Sequence, residues 1–383
     1  MGIAFDSGDV AIIGGGIIGL STAFELAARG AQVRVFDVGE PAAAASWAAA
    51  GMLAPRTEQL HDDALRALCE QSLSEYPAFV QRVRDASGID PHLRLDGILH
   101  AAFSRDAGAQ HEQWVSGLAA AGCAAQQLTR QQTLEFEPAL ARQVTGAVLV
   151  EGEGQIDNRR LGRALVQACR NCGVRIHPGV RYLTVESDAR RVLGIRTDIG
   201  YVAAGAVINA AGAWAARVPG VPSHAVPPVF PVKGEMLALD VPLGLLRRTT
   251  WVPGAYLVPR ADGRLLVGAT AKKTGFDARV TAGGIAGLLE SAIRAVPPLA
   301  GFTVSETWAG LRPATPDERP FLGGTPLGGY FLACGHYRNG ILLAPATADM
   351  LADVLQGRNS VPAAFSFEPA GTKNASPQRR QSA

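Results

Sequence analysis

The chain is 383 residues long, 48% hydrophobic and 18% charged, with 36 basic against 34 acidic residues and a formal charge of +2. That length holds about two domains' worth of core, and the near-neutral balance excludes an electrostatic binder of nucleic acid or of an anionic membrane. The 44 glycines and 24 prolines make a turn-rich chain without low complexity or repeats, and the five cysteines, with no second pair to complete a zinc set, read as thiols of a reducing, cytoplasmic compartment.

The opening MGIAFDSGDV has neither a basic n-region nor a cleavage site, so it is not read as a signal peptide. Val10, Ala11, Ile12 and Ile13 form a branched apolar strand that runs into GGGIIG and then a helical pattern. Gly14 allows the tight turn, Gly16 lets backbone approach a pyrophosphate, and Gly19 lets helix pack on strand. Ile17 and Ile18 open the helix, whose free N–H groups and positive dipole end suit phosphate. The second strand, QVRVFD, ends at Asp37, where a carboxylate binds an unphosphorylated ribose. This order of strand, turn, helix, strand and acid predicts a dinucleotide site. It does not separate NAD from FAD, although its place at the start of the chain favours FAD.

Residues 41–55 read PAAAASWAAAGMLAP. Such a run makes a poor surface helix, but it suits backbone passing close to a flat ligand. Ser46 is placed to bond a pyrophosphate oxygen, and Ala49, Ala50, Gly51 and Met52 to pack along an isoalloxazine ring; an Ala-rich buried helix is the other reading. Residues 60–88 and 108–143 carry helical periodicity and are expected to pack outside, with strand character at 90–103. Cys169 and Cys172 form a lone CxxC, read as helix packing, with no metal expected. The segment YVAAGAVINAAGAWAARV, interrupted by Asn209, is a buried strand and turn and not a membrane span. Within 231–304, YLVPRADGRLLVGAT reads as a hairpin turning at Asp262–Gly263. Lys233, Lys272 and Lys273 are read as solvated or structural. Arg312 follows a strand in WAGLRPAT, and Arg338 lies in GHYRNG, just before the helical pattern ILLAPATADMLADVL. A buried carboxylate needs an arginine fork with paired hydrogen bonds, so both arginines are candidate anion holders, with Asp317 and Glu318 as alternative partners. Tyr256, at the start of the hairpin, could add a hydroxyl, and Met52 could cap a pocket.

The motifs VAIIGGGIIGLSTAFELAARG, SWAAAGMLAP, VINAAGAWA, PVKGEML, YLVPRADGRLLVGAT, WAGLRPATPDERPFLG and GHYRNGILLAPATADMLAD together resemble the D-amino-acid-oxidase-like family of FAD-dependent oxidoreductases, and within it the glycine oxidases of thiamine biosynthesis. The resemblance spans the chain up to about residue 368 and is more specific for the family than for a substrate. It implies FAD as cofactor. It gives Arg312 the substrate carboxylate, with Arg338 and Tyr256 as further contacts. Val180 is implied to meet the adenine side through its backbone, and Ala211, Gly212 and Trp214 to lie along the cofactor. Gly335, His336, Arg338, Asn339, Gly340 and Ile341 are implied at the flavin's pyrimidine end, with no catalytic base required of His336. LRPATPD holds none of the flavin-linked cysteine that sarcosine-type relatives carry there, so FAD is expected to be noncovalent. Ala271 replaces their lysine over the flavin, and Gly254 replaces a histidine of some glycine oxidases.

The expected fold is α/β (α+β overall): a Rossmann-like FAD-binding domain from residues 1–89, 146–218 and 305–368, and a discontinuous antiparallel-sheet substrate domain from 90–145 and 219–304. Residues 369–383 are expected to be a disordered tail. The expected activity is oxidation of glycine, sarcosine or small D-amino acids, with O2 as acceptor, in a homo-oligomer without an integral membrane segment. A D-amino acid dehydrogenase that reduces a quinone or another carrier, and a flavoprotein subunit of a glycine-oxidising complex, are the alternatives.

Overall fold

The computed structural model of the chain describes residues 10–180 and 183–368; the tail expected at 369–383 lies outside them. A six-stranded sheet is built around Val10–Ile13. That strand pairs in parallel with Val33–Phe36 on one side and Ala206–Asn209 on the other. Arg175–His177 and Tyr330–Cys334 extend the sheet in parallel, and Phe321–Gly324 closes one edge antiparallel. Short strands that are apolar on both faces need cover on both. The helices Ile17–Ala28, Asn158–Asn171 and Ala344–Leu355 supply it on one side, where Leu20, Phe24, Leu161, Leu165 and Leu351 share a core with Val10 and Ile12. On the other side Ala11, Ile13 and Val207 pack against Val185 and Ile195 of a three-stranded antiparallel sheet.

An eight-stranded sheet stands against this unit. Its spine is the long antiparallel pair Phe230–Asp240 and Thr303–Ala314. The two-residue period of a strand decides what each face buries. Leu237 and Leu239 point into a core with Leu257, Leu288 and Ala292 under the helix Ala282–Ala295, whereas Met236 and Ala238 pack with Val258, Leu266 and Trp308 against Ala48 and Ala50. The second face therefore closes onto the alanine-rich segment after the first nucleotide-type unit. A one-residue slip would exchange the two sets.

Several expectations shift. The segment 108–143 is not one helical stretch: Arg105–Ala120 and Arg130–Phe136 are helices, but Ala125–Thr129 is a strand that pairs with Gly146–Val150. The helix Asp63–Ser87 does not pack only outside, because Leu65, Leu68, Leu73 and Tyr76 enter the same core as Val10. Asp62 caps it by accepting from the Leu65 N–H at 2.8 Å. Gly146–Val150 and most of Thr303–Ala314, from residue 305 on, fall within segments assigned from sequence to the nucleotide-binding part, yet both strands hydrogen-bond into the eight-stranded sheet. The hairpin strands Ala255–Pro259 and Arg264–Gly268 leave a four-residue connection, with Gly263 at φ +88°. The last long helix begins at Ala344, three residues after the apolar pattern does, because Ile341–Leu343 forms an irregular turn before Pro345 enters the first helical turn. Cys169 is buried in its helix while Cys172 caps that helix in the open. No described helix is long and apolar enough to cross a membrane.

Candidate active site

The site is built at the ends of the six-stranded sheet. Gly14 follows the Val10–Ile13 strand with φ +104°, and a Cβ there would lie 2.4 Å from the Ala210 carbonyl oxygen. A Cβ on Gly19 would lie 2.0 Å from the carbonyl oxygen of Gly14, so the helix packs on the turn only because residue 19 is glycine. Gly16 is the N-cap and offers no side-chain cap, which leaves the first-turn N–H groups directed outward. One of them, on Ile17, donates to Ser46 Oγ at 2.8 Å, and that hydroxyl keeps its own proton to donate. Asp37 accepts from the Gly15 and Gly39 N–H groups at 2.6 and 2.8 Å. Burial raises its pKa despite those bonds. Val180 donates its N–H to the Asp37 carbonyl at 2.9 Å, which sets it beside the end of the second strand.

A cavity of about 470 Å³ lies between the two sheets. Its lining begins with Gly16, Ile17, Ile18 and Ser46 and continues along Ala48–Met52. Side chains of this size leave room for a flat group against the backbone, and Gly310 across the way would clash with Ala48 if it carried a Cβ, at 2.5 Å. The segment is held from behind. Arg260, 6% exposed, donates to the carbonyls of Ala50 and Ile156 and to the side-chain oxygens of Gln155 and Asn158, at 2.6–3.0 Å. Asn158 in turn donates to the carbonyls of Ser46 and Trp47. Uncapped helix N–H groups, a side-chain-poor wall and a glycine turn fit the pyrophosphate and ring system of FAD.

The far end is polar. Arg312 lines the cavity, and its Nη1 donates to the Thr270 carbonyl at 3.0 Å; among the described residues no carboxylate pairs with it. Thr270 is itself anchored, because its hydroxyl bonds Glu235, a fully buried carboxylate that also accepts from Lys272 and from the Thr281 N–H and lies 3.6 Å from buried Lys233. These donors hold the Glu235 pKa down to about 2 against the desolvation of its burial. Glu235→Gln would leave buried Lys233 without its counter-charge, with only the Arg279 carbonyl to bond, and we expect a loss of about 3–5 kcal/mol in urea unfolding. Gly234 faces Arg312 so closely that an added Cβ would sit 2.2 Å from Nη1. We expect Gly234→Ala to displace the guanidinium and raise the KM for a carboxylate substrate at least about tenfold, with stability nearly unchanged, as steady-state kinetics and thermal melts would register.

Tyr256 stands beside Arg312 in the lining, with its ring 5.8 Å from Trp251 and its hydroxyl 3.8 Å from Met236 Sδ. Burial raises the pKa of this phenol, which stays a proton donor at neutral pH. Arg338 also lines the cavity, but it is 47% exposed and lies between Glu58 at 3.9 Å and Glu318 at 3.4 Å. It is thus already compensated, as Arg312 is not. His336 is buried with Nε2 3.0 Å from the Thr347 hydroxyl, and burial lowers its pKa to about 3, so it is neutral and unsuited to take up a proton.

Of the other residues named from sequence, Met52, Gly212, Gly340 and Ile341 line the cavity. Ala211, Gly335 and Asn339 do not, and Trp214 points away, 43% exposed with its ring 5.6 Å from Phe276, because the 3-10 turn Gly212–Arg217 carries it outward. Lys233 and Lys272 are committed to Glu235, and the Lys273 ammonium lies over the Phe230 ring. Two residues were missed. Arg260 had its only signal in an arginine at a hairpin end; Glu58 had its signal in an acid six residues beyond Met52, on the same approach to the ligand.

Comparison with known proteins agrees with this geometry. The chain matches the model of the DAO family, described as FAD dependent oxidoreductase, over residues 9–354. It is 37% identical to a glycine oxidase from Geobacillus kaustophilus, covering 94% of this chain and 95% of that protein. The crystal structure of glycine oxidase from Geobacillus kaustophilus superposes with a TM-score of 0.88, over 94% of this chain and 98% of that one. A bifunctional protein ThiO/ThiG from Synechocystis is 38% identical over 94% of this chain, which spans about half, 53%, of that longer protein. The glycine turn, the small-residue wall and the chain-long similarity lead to one assignment: the chain belongs to the DAO family of FAD-dependent oxidoreductases.

Proposed function

We propose that the protein oxidises glycine, sarcosine or a small D-amino acid to its imine, which water converts to a 2-oxo acid and ammonia (an amine from sarcosine), while O2 is reduced to H2O2. The imine of glycine would feed thiazole formation in thiamine biosynthesis, a reading that rests on the resemblance to glycine oxidases and to the ThiO/ThiG protein. The observation that carries the proposal is Arg312, a half-buried guanidinium in the cavity lining that forms no ion pair among the described residues. A cation left in that position is costly unless an anion arrives, and its planar fork matches a carboxylate.

FAD, when bound by the glycine turn, Ser46 and the 48–52 wall, supplies the two-electron acceptor chemistry. The chain's own contribution is orientation. Arg312 grips the carboxylate and Tyr256 donates to it from the side. Gly254, Gly268 and Ala271 keep the lining around this end free of bulky side chains. Neutral His336 and protonated Tyr256 supply no base, consistent with a reaction whose amine enters unprotonated.

The test is to mix the flavin-loaded protein anaerobically with glycine, sarcosine and D-alanine, follow flavin bleaching, and then admit air and measure peroxide. Bleaching by glycine or sarcosine with rapid re-oxidation is expected. Bleaching only by larger D-amino acids, with slow re-oxidation, would move the protein to a dehydrogenase with another acceptor.

A further inference from the structure

Among the described residues, Glu58 is the one carboxylate in the cavity lining, and the oxidation chemistry does not call on it. Its side chain is 9% exposed and, among the described residues, accepts no side-chain hydrogen bond. The segment that carries it is fixed from below: Glu153, fully buried, accepts from the N–H groups of Arg56 and Thr57 and from the Thr57 hydroxyl. The backbone that leads into Glu58 is therefore held in place. Desolvation, helped by Glu318, raises its pKa on balance, against the pull of Arg338 and Arg312, so its repulsion of a second anion acts at pH values where it is ionised.

The charges at this end can be followed one by one. Arg312 and Arg338 bring two positive charges to the cavity, and Glu58 brings one negative charge beside Arg338. Glu318, half exposed, meets Arg338 from the outer side, so Arg338 stands between two acids and Arg312 is the arginine of this end without an ion-pair partner among the described residues. A single carboxylate on an otherwise neutral amine balances it. A substrate with a second carboxylate would have to set that group near Arg338, where Glu58 already stands and repels it at low dielectric.

We infer that Glu58 is a specificity-determining residue: by occupying the inner side of Arg338 it restricts the site to amines bearing one carboxylate, and its neutralisation opens a second carboxylate subsite at Arg338. This rests on the proposed carboxylate role of Arg312. Specificity here comes from a repulsive element as much as from the attractive one.

The test uses the full chain with FAD bound and two unreactive ethers, methoxyacetate with one carboxylate and diglycolate with two. Binding is read as the change in flavin absorbance, at a pH where both probes are fully ionised. The wild type is expected to bind methoxyacetate at least about tenfold more tightly than diglycolate. Glu58→Gln, nearly isosteric, is expected to shift the ratio of the two dissociation constants at least about tenfold towards diglycolate. Arg338→Met added to Glu58→Gln should abolish that gain. Glu58→Ala serves if the glutamine variant does not fold. A merely structural Glu58 would weaken both probes together and leave the ratio unmoved, and an unmoved ratio overturns the inference. If methoxyacetate fails to bind the wild type, or binds equally well to Arg312→Ala, the carboxylate reading of Arg312 falls and this inference falls with it.

Discussion

Replacing Arg312 with alanine is expected to lower kcat/KM for glycine by about 10²–10³-fold while the protein still purifies yellow. The expectation follows from what each half of the cavity does. The features proposed to hold FAD lie at Gly14, Gly16, Gly19 and the 48–52 wall, and none of them contacts Arg312 by a hydrogen bond among the described residues. The carboxylate, by contrast, meets no other cation without an ion-pair partner in the cavity lining among the described residues, since Arg338 already faces Glu58 and Glu318. Losing one partner of a buried, hydrogen-bonded charge pair costs about 2–5 kcal/mol, and each 1.4 kcal/mol is tenfold in rate. Arg312→Lys should recover part of the loss, because it restores the charge without the fork. Steady-state kinetics with a parallel measurement of bound flavin decides the matter. Unchanged kinetics would remove Arg312 from the substrate site.

The second large effect is expected at a residue that touches no substrate. Arg260→Leu should destabilise the protein by about 3–5 kcal/mol and leave it with substoichiometric FAD. The guanidinium is sealed behind the cavity wall, where it satisfies four oxygens from residues 50, 155, 156 and 158. Burial lowers its pKa to about 10, so it stays charged at neutral pH, with Asp157 as the main compensating charge. Leucine would fill much of the space but leave those oxygens buried without donors, at about 1–3 kcal/mol each before relaxation. The Ala50 carbonyl is the sensitive one. Gly51 follows it at φ +67°, and a Cβ on Gly51 would lie 2.0 Å from the Ile156 oxygen, so the wall is held at a separation that only glycine permits. Urea unfolding and the flavin-to-protein absorbance ratio read the two parts of the prediction. A variant that kept full FAD occupancy would show that the wall holds its position without the arginine.

The two predictions differ in how far their residues could be read in advance. Arg312 was named from its motif, but why it and not Arg338 should hold an anion became plain only with Glu58 and Glu318 in place around the latter. Arg260 read as no more than a polar residue at a hairpin turn. The contact that gives it meaning, to the Ala50 carbonyl, crosses 210 residues of chain. Trp214 illustrates the reverse: its motif places it near the cofactor, yet one 3-10 turn directs the ring to Phe276 and the surface.

By itself the sequence determined the nucleotide end of the molecule. The apolar strand, the glycines, the helix and Asp37 lie within 28 consecutive residues, and their meaning is steric and local: a Cβ fits at Gly14 or Gly19 or it does not. The strand patterns at 90–103 and 231–304 likewise announced an antiparallel sheet, though not that Thr303–Ala314 belongs to it. The polar end was decided by tertiary structure alone. Its charges come from residues 58, 256, 312 and 338 on separate elements, and whether an arginine is free or compensated depends on distances of 3–4 Å between segments that only the closed fold brings together. Local sterics act through adjacent residues and survive in a one-dimensional reading, whereas the balance of buried charge depends on separations that no spacing along the chain encodes.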